Sequence, residues 1–141
     1  MEGHSHVNVL IIEDDLELSS VIDRIIRCID PSITVDWCTS AEEAIGQLAG
    51  SVDVGQRPPY QLIVSDVFLD GEKNGMDFLS YCHQHKLNLQ ILMMSSTERH
   101  KLFLGNVDSN YAFFIQKPFS IHECRLLIQN LLFPENKLRD S

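Results

Sequence analysis

The order of apolar patterns predicts an α/β domain: a doubly wound (βα)5 arrangement, with helices on both faces of a five-stranded parallel sheet. Three observations lead there. Short apolar or alternating runs of strand length recur along the chain, the clearest being Val7–Ile12, Gln61–Ser65 and Leu89–Met94. The segments between them carry apolar residues at spacings of three and four, the signature of amphipathic helices. Strands separated by helices of that length are joined by right-handed crossovers, which makes the sheet parallel.

Taken in order, Val7–Ile12 reads Val-Asn-Val-Leu-Ile-Ile and is the first strand, followed at once by Glu13, Asp14 and Asp15. Leu16–Ile29 places Leu18, Val21, Ile22, Ile25, Ile26 and Ile29 along one stripe, a helix that one of the preceding acids can cap and that Pro31 ends. Ile33–Trp37 alternates apolar and polar residues, as an edge or near-edge strand does. Ser40 and Glu43 form a capping-box pattern for a helix over Ala41–Leu48, packed through Ala41, Ala44, Ile45 and Leu48. Ser51–Pro59, with Gly55, Pro58 and Pro59, reads as a surface loop.

The run Tyr60–Asp66 is continuous rather than alternating, so it belongs in the covered centre of a parallel sheet, and it ends on a carboxylate. After a loop over Asp70–Asn74, a helix is expected from Met76 to His85, with Met76, Leu79 and Tyr81–Cys82 toward the sheet. Leu89–Met94 ends in Ser95, which with Glu98 makes a second capping-box pattern before a weakly amphipathic helix over Thr97–Gly105, anchored mainly by Leu102. Tyr111–Ile115 is the fifth strand. Ser120 and Glu123 open the last helix, Ile121–Leu132, which carries Cys124, Leu127, Ile128, Leu131 and Leu132 on one face. The expected organisation is a loose tail over residues 1–6, one domain over 7–133, and a polar tail or linker start over 134–141.

Bulk composition narrows the function. A net charge of −9 argues against direct binding of nucleic acid or an anionic membrane surface. No run reaches the length of a membrane span, and Met1–His6 lacks the pattern of a signal peptide. Cys28, Cys38, Cys82 and Cys124 are dispersed and are expected to be reduced thiols of a cytoplasmic protein. The six histidines form no zinc-binding spacing.

The chemistry gathers at the carboxyl ends of the strands, where open α/β sheets place their ligands. The first strand brings Glu13 and Asp14, the third Asp66, the fourth Ser95, and the fifth Lys117, next to Pro118. Clustered carboxylates repel one another unless a cation joins them. Hard oxygen ligands that must also admit a phosphate suit Mg²⁺, with Mn²⁺ as an alternative. In that setting Asp66 is a candidate nucleophile toward phosphorus, while Lys117 and Ser95 can stabilise phosphoryl oxygens.

These segments, Val9–Asp15, Leu62–Asp66, Ile91–Ser96 and Phe114–Phe119, together resemble the response-regulator receiver domains of two-component and phosphorelay signalling, which have a flavodoxin-like fold. The resemblance covers Val7–Leu132. It implies strand order 2-1-3-4-5, with Asp66 as phosphoacceptor, and a metal held by Asp14, Asp66, Glu13 (often through water) and the backbone carbonyl of Phe68. It also implies Lys117 as the phosphate-binding lysine and Ser95 and Phe114 as the switch pair. By the same resemblance the phosphodonor is a sensor histidine kinase or histidine phosphotransfer protein, and the domain catalyses its own phosphorylation and dephosphorylation without further small-molecule turnover. The output face comprises the fourth expected helix, the fifth strand and the last helix, through which a homodimer is possible. Four features depart from the family pattern: Asp70 stands where a proline is common; Gly75 comes one position late, which suggests a loop one residue longer beside the site; the Ser51–Pro59 loop is longer than is usual; and Ser96 stands where alanine or glycine is common.

Other readings of the same residues make different demands. An interaction domain of this fold that is never phosphorylated needs neither Mg²⁺ nor an acyl phosphate. A flavodoxin-like cofactor domain needs a phosphate-cradling loop where Glu13-Asp14-Asp15 stands. A phosphatase with an aspartyl nucleophile needs a general acid where Phe68 stands.

Overall fold

The computed structural model describes residues 6–69, 74–98, 101–102, 105, 107–108 and 110–134. Five strands form one parallel sheet: β1 (Asn8–Ile12), β2 (Thr34–Cys38), β3 (Leu62–Asp66), β4 (Gln90–Ser95) and β5 (Phe113–Gln116), in the order β2-β1-β3-β4-β5. Four helices are described: α1 (Leu16–Ile29), α2 (Ala41–Asp53), α3 (Gly75–Gln84) and α4 (Ile121–Leu132). Of the helix expected over 97–105, residues 99, 100, 103 and 104 lie outside the described residues, as do 70–73 of the loop beside the site. Residues 1–5 and 135–141 of the expected tails do so too, whereas His6 hydrogen-bonds the Thr34 hydroxyl.

The sheet separates two apolar clusters. One joins Leu10, Ile12, Ile63 and Met93 to Ala44 and Leu48 of α2 and to Phe78, Leu79 and Cys82 of α3. The other joins Val9, Ile11, Val64, Leu92 and Met94 to Ile22, Ile25 and Ile26 of α1 and to Cys124, Ile128 and Leu131 of α4. β3 is buried along its whole length between them, whereas β2, at the edge, exposes most of its residues. This contrast is the one their continuous and alternating patterns predict.

Three local expectations are corrected. Helix α2 runs on to Asp53, so the loop starts at Val54 rather than at Ser51. The cause is that Val52 extends the Ile45–Leu48 stripe by another turn and packs on the same cluster. The fifth strand is Phe113–Gln116, and Tyr111 precedes it, giving its hydroxyl to the Leu87 carbonyl at 3.0 Å. Inside α3, the largest buried side chain is Phe78, which was not among the residues expected to face the sheet.

The caps follow side-chain chemistry. Asp15 caps α1, accepting from the Glu17 and Leu18 amides at 3.0 and 3.4 Å. Ser40 accepts from the Glu43 amide at 3.1 Å, and the Glu43 carboxylate accepts from the Thr39 amide at 3.0 Å. Ser120 accepts from the Glu123 amide at 3.0 Å. A complete reciprocal box opens α3: Asn74 accepts from the Asp77 amide at 3.0 Å, and Asp77 accepts from the Asn74 amide at 2.8 Å.

Candidate phosphoacceptor site

The register decides which residues meet at the carboxyl end of the sheet. Ile12 pairs with Ser65, so Glu13 and Asp14 leave β1 beside the end of β3, where Asp66 stands. Asp66 pairs with Met94, and Ser95 pairs with Gln116, which brings Ser95 and Lys117 to the same lip. The Lys117 backbone amide donates to the Ser95 carbonyl at 2.7 Å, and the Lys117–Pro118 peptide is cis.

The carboxylates of Glu13, Asp14 and Asp66 offer oxygens that all lie within 4.8 Å of one another. The Lys117 ammonium donates to Asp66 Oδ2 at 2.7 Å and lies 3.6 Å from Glu13 Oε1. The other Asp66 oxygen, Oδ1, accepts from the Phe68 amide at 3.3 Å. Asp66 is thus held on both carboxylate oxygens, although it is only 8% exposed.

Glu13 is the most deeply buried of the acids, at 1% exposed. Its Oε2 accepts from the Asp15 amide at 3.1 Å, but Oε1 has no hydrogen-bond partner among the described residues. Burial pushes its carboxyl up to about 8, the neighbouring Asp14 and Asp66 act in the same direction, and the Asp15 amide and Lys117 act against them. Burial alone would lower the pKa of Lys117, but the hydrogen bond and charge of Asp66, reinforced by Glu13, hold it above the usual lysine value.

This donor set fits a hard divalent cation. Among the described residues three carboxylates cluster beside one ammonium, and one buried carboxylate oxygen lacks a hydrogen bond, so a cation would relieve both the repulsion and the unsatisfied oxygen.

The remaining expected residues have clear positions. Ser95 is 2% exposed, and its hydroxyl accepts from the Thr97 amide at 2.9 Å. Phe114, on the strand beside β4, is half-buried against the cluster that contains Val107 and Ala112. The Phe68 ring is 54% exposed beside the site. Of the three acids after β1, Asp15 is the one that serves as the helix cap.

Gly75, noted in the sequence only for its spacing, proves to be structural to the site. A Cβ there would lie 2.0 Å from the Asp66 carbonyl oxygen, and the Gly75 amide donates to the Val67 carbonyl at 2.8 Å. The first residue of α3 is therefore seated directly on the backbone of Asp66.

Comparison with known proteins agrees with this geometry. The chain is 29% identical to the transcriptional regulatory protein CiaR of Streptococcus pneumoniae, in an alignment covering 96% of this chain and 55% of that protein, so it spans about half the length of that relative. Among solved structures, a CheY-like receiver domain protein of Methanospirillum hungatei aligns with a TM-score of 0.70 at 18% identity, covering 94% of this chain and 98% of that one. The phosphorylated cyanobacterial phytochrome response regulator RcpA aligns with a TM-score of 0.69 at 18% identity, covering 92% and 96%. At those identities the structures establish the fold. The family model of the response regulator receiver domain matches residues 9–129, nearly the whole chain, and the chain belongs to that family.

Proposed function

We propose that this domain accepts a phosphoryl group on Asp66 from a histidine-phosphorylated partner and changes its surface in response. The observation that carries the reading is the arrangement around Asp66: Lys117 at 2.7 Å, with the Glu13 and Asp14 carboxylates in the same cluster. An Asp66 carboxylate oxygen attacks phosphorus, the P–N bond to the donor imidazole breaks, and the electron pair leaves with that nitrogen. Lys117 neutralises charge on the equatorial oxygens, where it matters most in the transition state. Glu13, Asp14, Asp66 and the Phe68 carbonyl would hold Mg²⁺, or Mn²⁺, which supplies charge neutralisation for the incoming phosphoryl group. The phosphorylated state of the cyanobacterial structural relative supports the reading by analogy.

The proposed response begins at Ser95. A phosphoryl group on Asp66 offers acceptor oxygens to the Ser95 hydroxyl, whose oxygen now accepts from the Thr97 amide, and the hydroxyl turns inward to donate to it. Phe114 then moves into the vacated space, and the face formed by the segment after β4, by β5 and by α4 is altered. Phe113 on β5 and Leu126 on α4 are 44% and 46% exposed, apolar groups that a partner or a second copy could cover.

The test is intact mass after incubation with acetyl phosphate, with and without Mg²⁺, on the wild type and Asp66→Asn. The expected result is a gain of about 80 Da that requires Mg²⁺ and is lost in Asp66→Asn, as an aspartyl phosphate demands. No adduct from acetyl phosphate or from a phosphohistidine donor would move the interaction-only reading to first place. For the switch, a phosphorylated Ser95→Ala variant that keeps wild-type affinity for its partner would overturn the Ser95 step.

A further inference from the structure

We propose that the buried hydroxyl of Ser65 is a positioning group for the chemistry at Asp66, fixing the Asp66–Val67 peptide and so the aim of the carboxylate. The inference rests on the phosphoacceptor reading of Asp66. Strand alternation turns Ser65 away from the lip, toward the cluster that receives Ile63 and Val67. Its neighbours in register are Ile12 and Met93, and it is completely buried. A hydroxyl in such a place needs a partner. It finds one in the Asp66 carbonyl, to which it donates at 3.0 Å.

That carbonyl is the same one on which Gly75 is seated, where a Cβ would come within 2.0 Å. The next bonds run outward without a break. The Val67 amide donates to the Met94 carbonyl at 2.8 Å, and the Val67 carbonyl accepts from the Gly75 amide at 2.8 Å. The Phe68 amide then donates to Asp66 Oδ1 at 3.3 Å. The peptide that follows the nucleophile is therefore fixed on its oxygen side by Ser65 and on its nitrogen side by β4. The amide one residue further on holds the carboxylate itself. Removing the Ser65 hydroxyl takes a donor from a closely packed carbonyl and loosens the first of these bonds, and the loss reaches the nucleophile through two residues of backbone.

The variants that isolate the hydroxyl are Ser65→Thr and Ser65→Val, which share one branched shape, so their packing strain is matched. The readouts are the rate of Mg²⁺-dependent phosphorylation by acetyl phosphate, the half-saturating donor concentration, and the Phe68 amide resonance. Ser65→Val should react about 3- to 10-fold more slowly than Ser65→Thr, the range set by one neutral hydrogen bond. The half-saturating donor concentration should be unchanged, and the Phe68 resonance should be displaced only in Ser65→Val. Equal rates and equal Phe68 resonances in the two variants would overturn the proposal. If the added methyl unfolds both, Ser65→Ala against wild type is read by the same criteria. A wild type that takes up no phosphoryl group would instead defeat the phosphoacceptor reading, and the proposal with it.

Discussion

Replacing Gly75 with alanine tests how the site is supported. The added Cβ would meet three backbone atoms: the Asp66 oxygen at 2.0 Å, the Asp66 carbonyl carbon at 2.9 Å and the Val67 Cα at 3.0 Å. No side chain can rotate away to make room, so either α3 or the end of β3 must shift, by more than an ångström to restore ordinary contact. Overpacking of this kind costs about 1–3 kcal/mol. Gly75 lies outside the left-handed region, so alanine returns up to about 1 kcal/mol of helix propensity. Because the clash is with backbone, the cost is set at the upper end of that range, and the net expectation is a loss of about 2 kcal/mol, which for a chain of this size lowers Tm by roughly 6–8 °C. Displacement of Asp66 should also slow phosphorylation, by about 100-fold for a shift of an ångström. The matched control is Gly46→Ala, on the exposed side of α2 with nothing within 4 Å of the new Cβ, where a gain of about 0.5–1 kcal/mol is expected. Thermal unfolding and acetyl-phosphate kinetics on the two variants make the comparison. A Gly75→Ala protein with wild-type Tm and wild-type rate would refute the argument.

Three further outcomes are expected. Asn74→Ala removes one half of the box that opens α3 and should cost about 1 kcal/mol, measurable by urea unfolding. Lys117→Met leaves the Asp66 and Glu13 carboxylates without their ammonium and should cost about 2 kcal/mol in chelator; millimolar Mg²⁺ should narrow that deficit, and an equal deficit with and without Mg²⁺ would contradict cation binding at this cluster. Burial pushes the thiols of Cys38 and Cys82 up to about 12 and that of Cys124 up to about 11, whereas Cys28 is exposed. At neutral pH a thiol-specific reagent should therefore modify Cys28 in the native protein and reach the other three only after denaturation.

Much of this arrangement could be read from residue order. The stripe from Leu18 to Ile29 marks α1 to its last residue, and the unbroken run ending in Asp66 marks the central strand. The acids after β1, Asp66, Ser95 and Lys117 could be placed at one lip because a parallel sheet sends every strand's carboxyl end the same way. What stayed hidden depends on contact rather than pattern. The extra turn of α2 was masked by the polar look of Gly50 and Ser51, although Val52 continues the stripe. The α3 cap was missed because its pair is Asn74 and Asp77, not the serine-to-glutamate pattern found elsewhere. Gly75 shows its importance only when α3 is seated on the Asp66 backbone. Ser65, one position before Asp66, gives no periodic signal at all.

The bond from the Gly75 amide to the Val67 carbonyl closes the chain between β3 and α3 at a fixed point. With that bond in place, Asp66 and the start of α3 meet at one fixed point. Lengthening such a closed segment by one residue costs little entropy, since the closure term grows only with the logarithm of its length. The intervening chain can therefore change in length by a residue at little cost while Asp66 keeps its seat against α3. The length of chain between β3 and α3 and the position of Asp66 thus become separately adjustable.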